Sequence, residues 1–137
     1  MKAVIDTNVV FARLANRNGA PHKIFQRFFK RQFDWVVSPD VLNEYHSVLT
    51  ISKKIPAKSV LIFLKLLQDL TVHVDIENKL QICRDRDNDK FLETALVSKA
   101  DFLVSKNLKH FPRKSYQGIQ IVKVSDFLKA LEKEYPQ

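Results

Sequence analysis

Four separate stretches of this chain carry oxygen ligands: Asp6 with Asn8 close behind it, Glu44, the run Asp85, Asp87, Asn88 and Asp89, and Asn107 just after Ser105. Carboxylate and amide oxygens suit a hard divalent cation. Mg²⁺ takes octahedral oxygen coordination, keeps several waters and is often held by only one or two carboxylates. Each stretch also has a plain structural use. Asp6 follows the apolar run AVI, where an aspartate also serves as a helix cap. Acids at the start of a helix interact favourably with its dipole, which accounts for one or two of the group at 85–89. Three acids in five residues repel one another, and a cation or a basic partner relieves that repulsion. Asn107 suits a turn, and Glu44 suits a surface.

These residues need elements that bring them together. The runs AVI, WVV, TVHV, FLV and IQIVKV read as strands. Segments with helical spacing lie between and around them, at about 9–15, 21–32, 39–50, 56–70, 88–99 and 125–134. Such alternation predicts a three-layer α/β/α sandwich around a mainly parallel sheet, with ligands beyond the carboxyl ends of the strands. Ser38 and Pro39 suit the cap and first turn of the third helix, Pro56 opens the fourth, and Ser125 is expected to cap the last. Ile24, Phe25, Phe28 and Phe29 read as a buried stripe, and Val41, Tyr45, Val48 and Leu49 as the core-facing arc of their helix. Glu44 then falls about 60° to one side of Val41, on the margin of that arc. The same projection puts Asn88 at the middle of the buried face of the fifth helix, with Asp87 and Asp89 on opposite sides of it.

With 137 residues, 45% apolar and 28% charged, the chain reads as one soluble globular domain spanning residues 1–137. No run of eighteen uncharged apolar residues and no signal-peptide pattern occurs, so no membrane span is expected. The single cysteine rules out an internal disulfide and suits a reducing cytoplasm. Two glycines cannot make a Gly-rich phosphate loop, which excludes Walker-type and dinucleotide-binding readings. The excess of 23 basic over 15 acidic residues, net +8, fits a polyanionic partner. An acidic pocket in a basic protein has a direct use: the cation neutralises the pocket while lysines and arginines hold a phosphodiester backbone beside it. Lys106, Lys109, His110, Arg113 and Lys114 follow the fourth strand and are the candidate phosphate contacts. His110, beside Phe111 and Pro112, is otherwise a packed loop residue and takes no catalytic role.

Four motifs in this order, IDTNV, VSPDVLNEY, DRDNDKFLETA and ADFLVSKNLKHFP, make the chain similar to the PIN-domain ribonucleases, and in spacing to the toxin components of toxin–antitoxin pairs. The resemblance implies Mg²⁺- or Mn²⁺-dependent endoribonuclease activity, 5′-phosphate and 3′-hydroxyl products, RNA and a cognate antitoxin as partners, and commonly a homodimer. It matches Asp6 to the first family acid and Glu44 to the second. The third acid falls on Asn88, a departure that leaves Asp87 or Asp89 to supply the charge, or else a weakened site. Asn107 takes the fourth position, often aspartate, and Ser105 the usual Thr or Ser. Asn8 joins Ser105 as a supporting residue. Two other readings compete. One is a PIN-like domain impaired in catalysis that binds nucleic acid or a protein partner. The other is a phosphotransfer enzyme, which in one common type needs a second aspartate where this chain has Asn8.

Overall fold

Strand β1 (Lys2–Ile5) carries Ala3, Val4 and Ile5 consecutively, and all three are fully buried, as in a strand covered on both faces. The computed structural model describes residues 1–137, and in it β1 lies near the middle of a six-stranded sheet. The chain then runs through α1 (Thr7–Ala15), α2 (Ala20–Phe29), β2 (Asp34–Val37), α3 (Pro39–Ile51), α4 (Ala57–Leu70), β3 (Val72–His73), α5 (Asp89–Ser98), β4 (Phe102–Val104), β5 (Ser115–Tyr116), β6 (Ile119–Val122) and α6 (Val124–Glu134). The strand order is β3-β2-β1-β4-β6-β5, and every pairing is parallel except β5 with β6. Six helices flank this mainly parallel sheet, which is the architecture the alternating pattern predicted.

The topology fixes where a ligand belongs. From β1 the chain moves outward through β2 to β3, then returns to β4 on the other side of β1 and moves outward again. The carboxyl ends of β1 and β4 therefore flank the point where the winding reverses, the usual binding crevice of such sheets. Ile5 is in register with Val104, and the Asp6 amide donates to the Val104 carbonyl at 2.8 Å. Asp6 and Ser105 leave adjacent strands side by side.

Local chemistry explains most boundaries. Ser38 Oγ accepts from the Val41 amide at 3.3 Å, and Pro39 fills the first turn of α3. Ser125 does not cap α6, which begins one residue earlier at Val124 with Lys123 in the cap position. Pro56 occupies the cap position of α4 rather than its first turn. Helix α1 starts at Thr7, two residues ahead of the predicted pattern. Ile24, Phe25 and Phe28 enter the core, whereas Phe29 is half exposed. Phe25 and Phe28 meet Trp35 edge-to-face with ring centroids 5.4 and 5.3 Å away.

Tyr45 ties this core to the site. Its hydroxyl donates to the Ile5 carbonyl at the end of β1 and receives the Trp35 indole N–H at 3.4 Å. Burial pushes the phenol far above its ordinary range, so it remains a neutral donor. Tyr45→Phe leaves a buried carbonyl next to Asp6 without its partner. The expected cost is about 1–2 kcal/mol, read from the midpoint of urea unfolding.

Candidate functional site

A cleft of about 820 Å³ opens at the reversal point, lined by Asp6, Thr7, Asn8, Glu44, Asn88, Lys106 and His110 among others. Asp6 is 4% exposed. It stands at the cap position of α1 but makes no capping hydrogen bond. Its Oδ2 instead accepts from Ser105 Oγ at 2.7 Å. Burial raises its pKa above the ordinary carboxylate value; the Ser105 hydrogen bond works against that, and the nearby Glu44 charge adds to it. Ser105 is itself oriented from two sides, by Asn8 Nδ2 at 3.2 Å and the Asn107 amide at 3.1 Å. Asn8 Oδ1 accepts from the Lys106 amide at 3.1 Å, so α1 and the loop after β4 are tied together around Asp6.

Glu44 reaches the cleft from the second turn of α3. Thr7 Oγ1 donates to its Oε2, and Lys90 Nζ pairs with its Oε1 at 2.9 Å. Both partners of that ion pair are about four-fifths buried. Val48, one helical turn further on, lines the same cleft and is 40% exposed, so it is not the core residue its spacing predicted. Asn88 is buried at the inner end of a 3₁₀ turn, Arg86–Asn88, that leads into α5, and it faces this cleft.

The flanking acids go elsewhere. Asp87 is exposed, and with Asp89 it lines a separate depression beside Lys90 and Glu93. The Asp89 carboxylate accepts the backbone N–H groups of Ile82 and Cys83 at 3.0 and 2.7 Å. This corrects the expectation that Asp87 or Asp89 makes good the missing third acid: Asn88 points to the cleft, and its neighbours are turned away from it. Glu93, one turn along the same face of α5, accepts three more amides, those of Glu77, Asn78 and Leu80, at 2.8–2.9 Å. Asn107 also differs from its expected part. Its Oδ1 accepts from the Lys109 amide at 3.1 Å, its Nδ2 meets His110 Nε2 at 3.0 Å, and it does not line the cleft. Lys106 does line it, whereas Lys109, Arg113 and Lys114 are exposed on the loop beyond.

Two residues at the site, Thr7 and Lys90, were not singled out from the sequence, and His110 was named only as a candidate phosphate contact. Thr7 and Lys90 bind the two oxygens of Glu44. His110 reaches the cleft, with Nδ1 3.9 Å from Asp6 Oδ2. A signal for His110 exists in its spacing: Asn107 and His110 bracket a 3₁₀ turn, Leu108–His110, and side chains three apart in such a turn eclipse one another.

No three His, Cys, Asp or Glu side chains gather into a ready-made metal cage. The donors that do meet, two carboxylates and one amide, still suit one hard divalent ion that keeps several waters. Burial first, and then the charge on Glu44, raise the pKa of Asp6, and a bound cation would act in the opposite direction. Cys83 offers no softer alternative, because burial, and then Asp89, push its thiol up to about 12.

A family profile described as the PIN domain matches residues 2–109. An uncharacterized protein of Methanocaldococcus jannaschii, MJ1680, is 32% identical over 105 residues, spanning 73% of this chain and 67% of that protein. Among solved structures, the crystal structure of VapBC2 from Rickettsia felis bound to a DNA fragment from their promoter contains a similar chain. The TM-score is 0.61, covering 90% of this chain and 98% of that one, at 16% identity, and at that identity the likeness concerns the fold. On the profile match, which spans most of its length, this chain belongs to the PIN domain family.

Proposed function

We propose that residues 1–137 act as a single PIN-like nuclease unit, a Mg²⁺- or Mn²⁺-dependent endoribonuclease serving as the toxin of a toxin–antitoxin pair in the cytoplasm. The observation that carries this reading is that Asp6, just beyond β1, and Glu44 from α3 line one cleft at the reversal point of the sheet. Asp6, Glu44 and Asn88 would hold the ion. When bound, it supplies Lewis acidity toward a phosphodiester. Ser105 keeps the Asp6 carboxylate in a single orientation, and Asn8 holds the β4 loop against α1. Lys106 at the cleft, with Lys109, Arg113 and Lys114 on the same loop, draws in the RNA backbone, consistent with the net charge of +8. In-line attack by water leaves 5′-phosphate and 3′-hydroxyl ends. The solved relative is a VapBC2 complex, which supports a cognate antitoxin as partner. A homodimer is in keeping with family habit.

The test is cleavage of single-stranded RNA in Mg²⁺ or Mn²⁺ against a chelated control, with metal binding followed by calorimetry. Cleavage that persists in chelator sinks the metal-dependent reading.

A second reading is favoured by the Lys90–Glu44 ion pair, which already neutralises Glu44, and by the resemblance, which sets Asn88 where the family carries its third acid. On that reading the domain binds RNA or a protein partner and cuts slowly. Asn88→Asp distinguishes the two. Losing a group next to a metal ligand typically costs about 10–100-fold, so restoring an acid in the cleft is expected to tighten Mn²⁺ and speed cleavage by about tenfold or more. An unchanged rate with unchanged metal affinity would show that the third acid is not what limits this site.

A further inference from the structure

The positive charge of this chain is unevenly placed. Residues 7–33 hold six basic side chains, Arg13, Arg17, Lys23, Arg27, Lys30 and Arg31, and no acidic one. The other 17 of the 23 basic residues are set against 15 acidic ones, so most of the net +8 belongs to this one segment. Helix α2 gives that charge a shape. Lys23, Gln26, Arg27 and Lys30 recur at three- and four-residue spacing on one face, turned away from the buried Ile24, Phe25 and Phe28. With Leu128, Lys129 and Glu132 of α6 they line a depression of about 410 Å³ between the two helices. Arg27 has a structural part there: it donates to Gln32 and to the Tyr135 carbonyl, both at 2.8 Å, and pairs with Glu132. The terminal residue, Gln137, also borders the depression, and its amide donates to Glu132 at 3.1 Å. Lys23, Lys30 and Lys129 are exposed and form no ion pair. Three free ammonium groups thus surround a hollow whose one acidic side chain is already neutralised.

We propose that this depression is a second contact surface for the RNA substrate, holding the phosphodiester backbone of the strand once it has left the cleft. The proposal rests on RNA being the substrate. The start of α2 joins the two places: Gly19 and Pro21 line the cleft, and Lys23 opens the depression on the opposite side of the helix. Lys30 lies about 10 Å further along the axis, at 1.5 Å per residue. A strand passing over the start of α2 meets Lys23 first and Lys30 next, with Lys129 on the facing wall. Lysine suits that task, because its ammonium group binds phosphate as a point charge without demanding one orientation. A folded protein partner fits the surface less well. Such interfaces are anchored on apolar and aromatic side chains, and Leu128 is the one apolar residue lining this hollow.

The test is binding of an oligouridylate of about 20 nucleotides to the full chain, followed by fluorescence anisotropy in chelator with KCl varied from about 50 to 200 mM. Each phosphate contact to a single strand contributes about 0.7 to the slope of log K against log salt. The triple variant Lys23→Gln, Lys30→Gln, Lys129→Gln is expected to flatten that slope by about 2 and to weaken binding about tenfold or more at the lower salt. A matched variant, Lys53→Gln, Lys54→Gln, Lys58→Gln, removes the same charge from exposed positions between α3 and the first turn of α4. It is expected to stay within about threefold of wild type, since distant exposed charges are screened. In Mn²⁺ the first variant raises KM for the same RNA and leaves kcat unchanged. Three results would each overturn the RNA surface: an unchanged slope, a matched variant that loses as much affinity as the first, or an oligoglutamate of similar charge that binds more tightly than the RNA and shows the same loss. The last would assign the depression to an acidic protein segment. A wild type that binds RNA and never cuts it would remove the nuclease reading and leave this surface standing; one that binds no RNA would remove both.

Discussion

Asp6→Asn is expected to lower RNA cleavage by at least about 100-fold while leaving the metal-free protein as stable as wild type or more so. The activity estimate starts from outer-shell groups, whose loss already costs roughly 10–100-fold at metal sites; removing a direct ligand is no milder. The stability claim follows from the environment of the carboxylate. Burial, reinforced by the charge on Glu44, raises the folded-state pKa of Asp6 above its value in the unfolded chain. Between those two values the folded protein holds the extra proton. The contribution of Asp6 to stability is thus fully present below the unfolded value and falls away as pH rises through the folded one. Asparagine has the same shape, can still accept from Ser105, and carries no charge to desolvate. Melting temperatures in chelator should therefore diverge as pH climbs from the acid range toward neutrality, with the asparagine variant higher. Saturating Mn²⁺ should narrow or reverse the gap by stabilising only the wild type. A variant that still cuts RNA at the wild-type rate would remove Asp6 from the mechanism.

That trade of stability for charge explains why Asp6 was legible in the sequence. A carboxylate at the end of a buried strand runs against the local hydrophobic pattern, and departures of that kind tend to mark function. Glu44 was legible more weakly, through its place on the margin of an amphipathic helix. Asn88 was placed inward by helical projection, and its burial at 8% exposure agrees. The projection put Asp89 to one side of Asn88 and carried no information about which backbone groups lie there. Residues 75–85 form no helix or strand, so their amides lack the partners that regular structure supplies, and α5 turns two carboxylates toward them. Nothing in the composition of VDIENKLQICR announces that need. Strand β5 was missed for a related reason. It pairs with β6 across Gln117 and Gly118, both with positive φ, 48° and 88°. A glutamine at the first of those positions lacks the Asn-Gly or Asp-Gly signature by which such hairpins are read. The buried stripe of α2 failed at Phe29 because an apolar type says nothing about whether a neighbour exists to cover it.

Asp89→Ala and Glu93→Ala should show the reverse of the Asp6 phenotype, with large losses of stability and little change in chemistry. Glu93 is 8% exposed and serves three amides; Asp89 is 6% exposed and serves two. A hydrogen bond to a charged group contributes about 1.5–3 kcal/mol, and stranding a buried donor costs about 1–3 kcal/mol. Part of the segment will find water once released, so about 3 kcal/mol is expected for Glu93→Ala and about 2 kcal/mol for Asp89→Ala in urea unfolding. The two carboxylates hold adjoining parts of one segment, so the double variant should lose less than the sum. Hydrogen exchange gives the assignment residue by residue. Protection should fall at Glu77, Asn78 and Leu80 in the Glu93 variant, and at Ile82 and Cys83 in the Asp89 variant. Cleavage measured well below the melting transition should remain within a few-fold of wild type for both, since neither carboxylate lines the cleft. An Asp89→Ala protein that kept its stability and its amide protection but lost cleavage would place that carboxylate in the active site, and would require the turn at Arg86–Asn88 to rotate when metal binds.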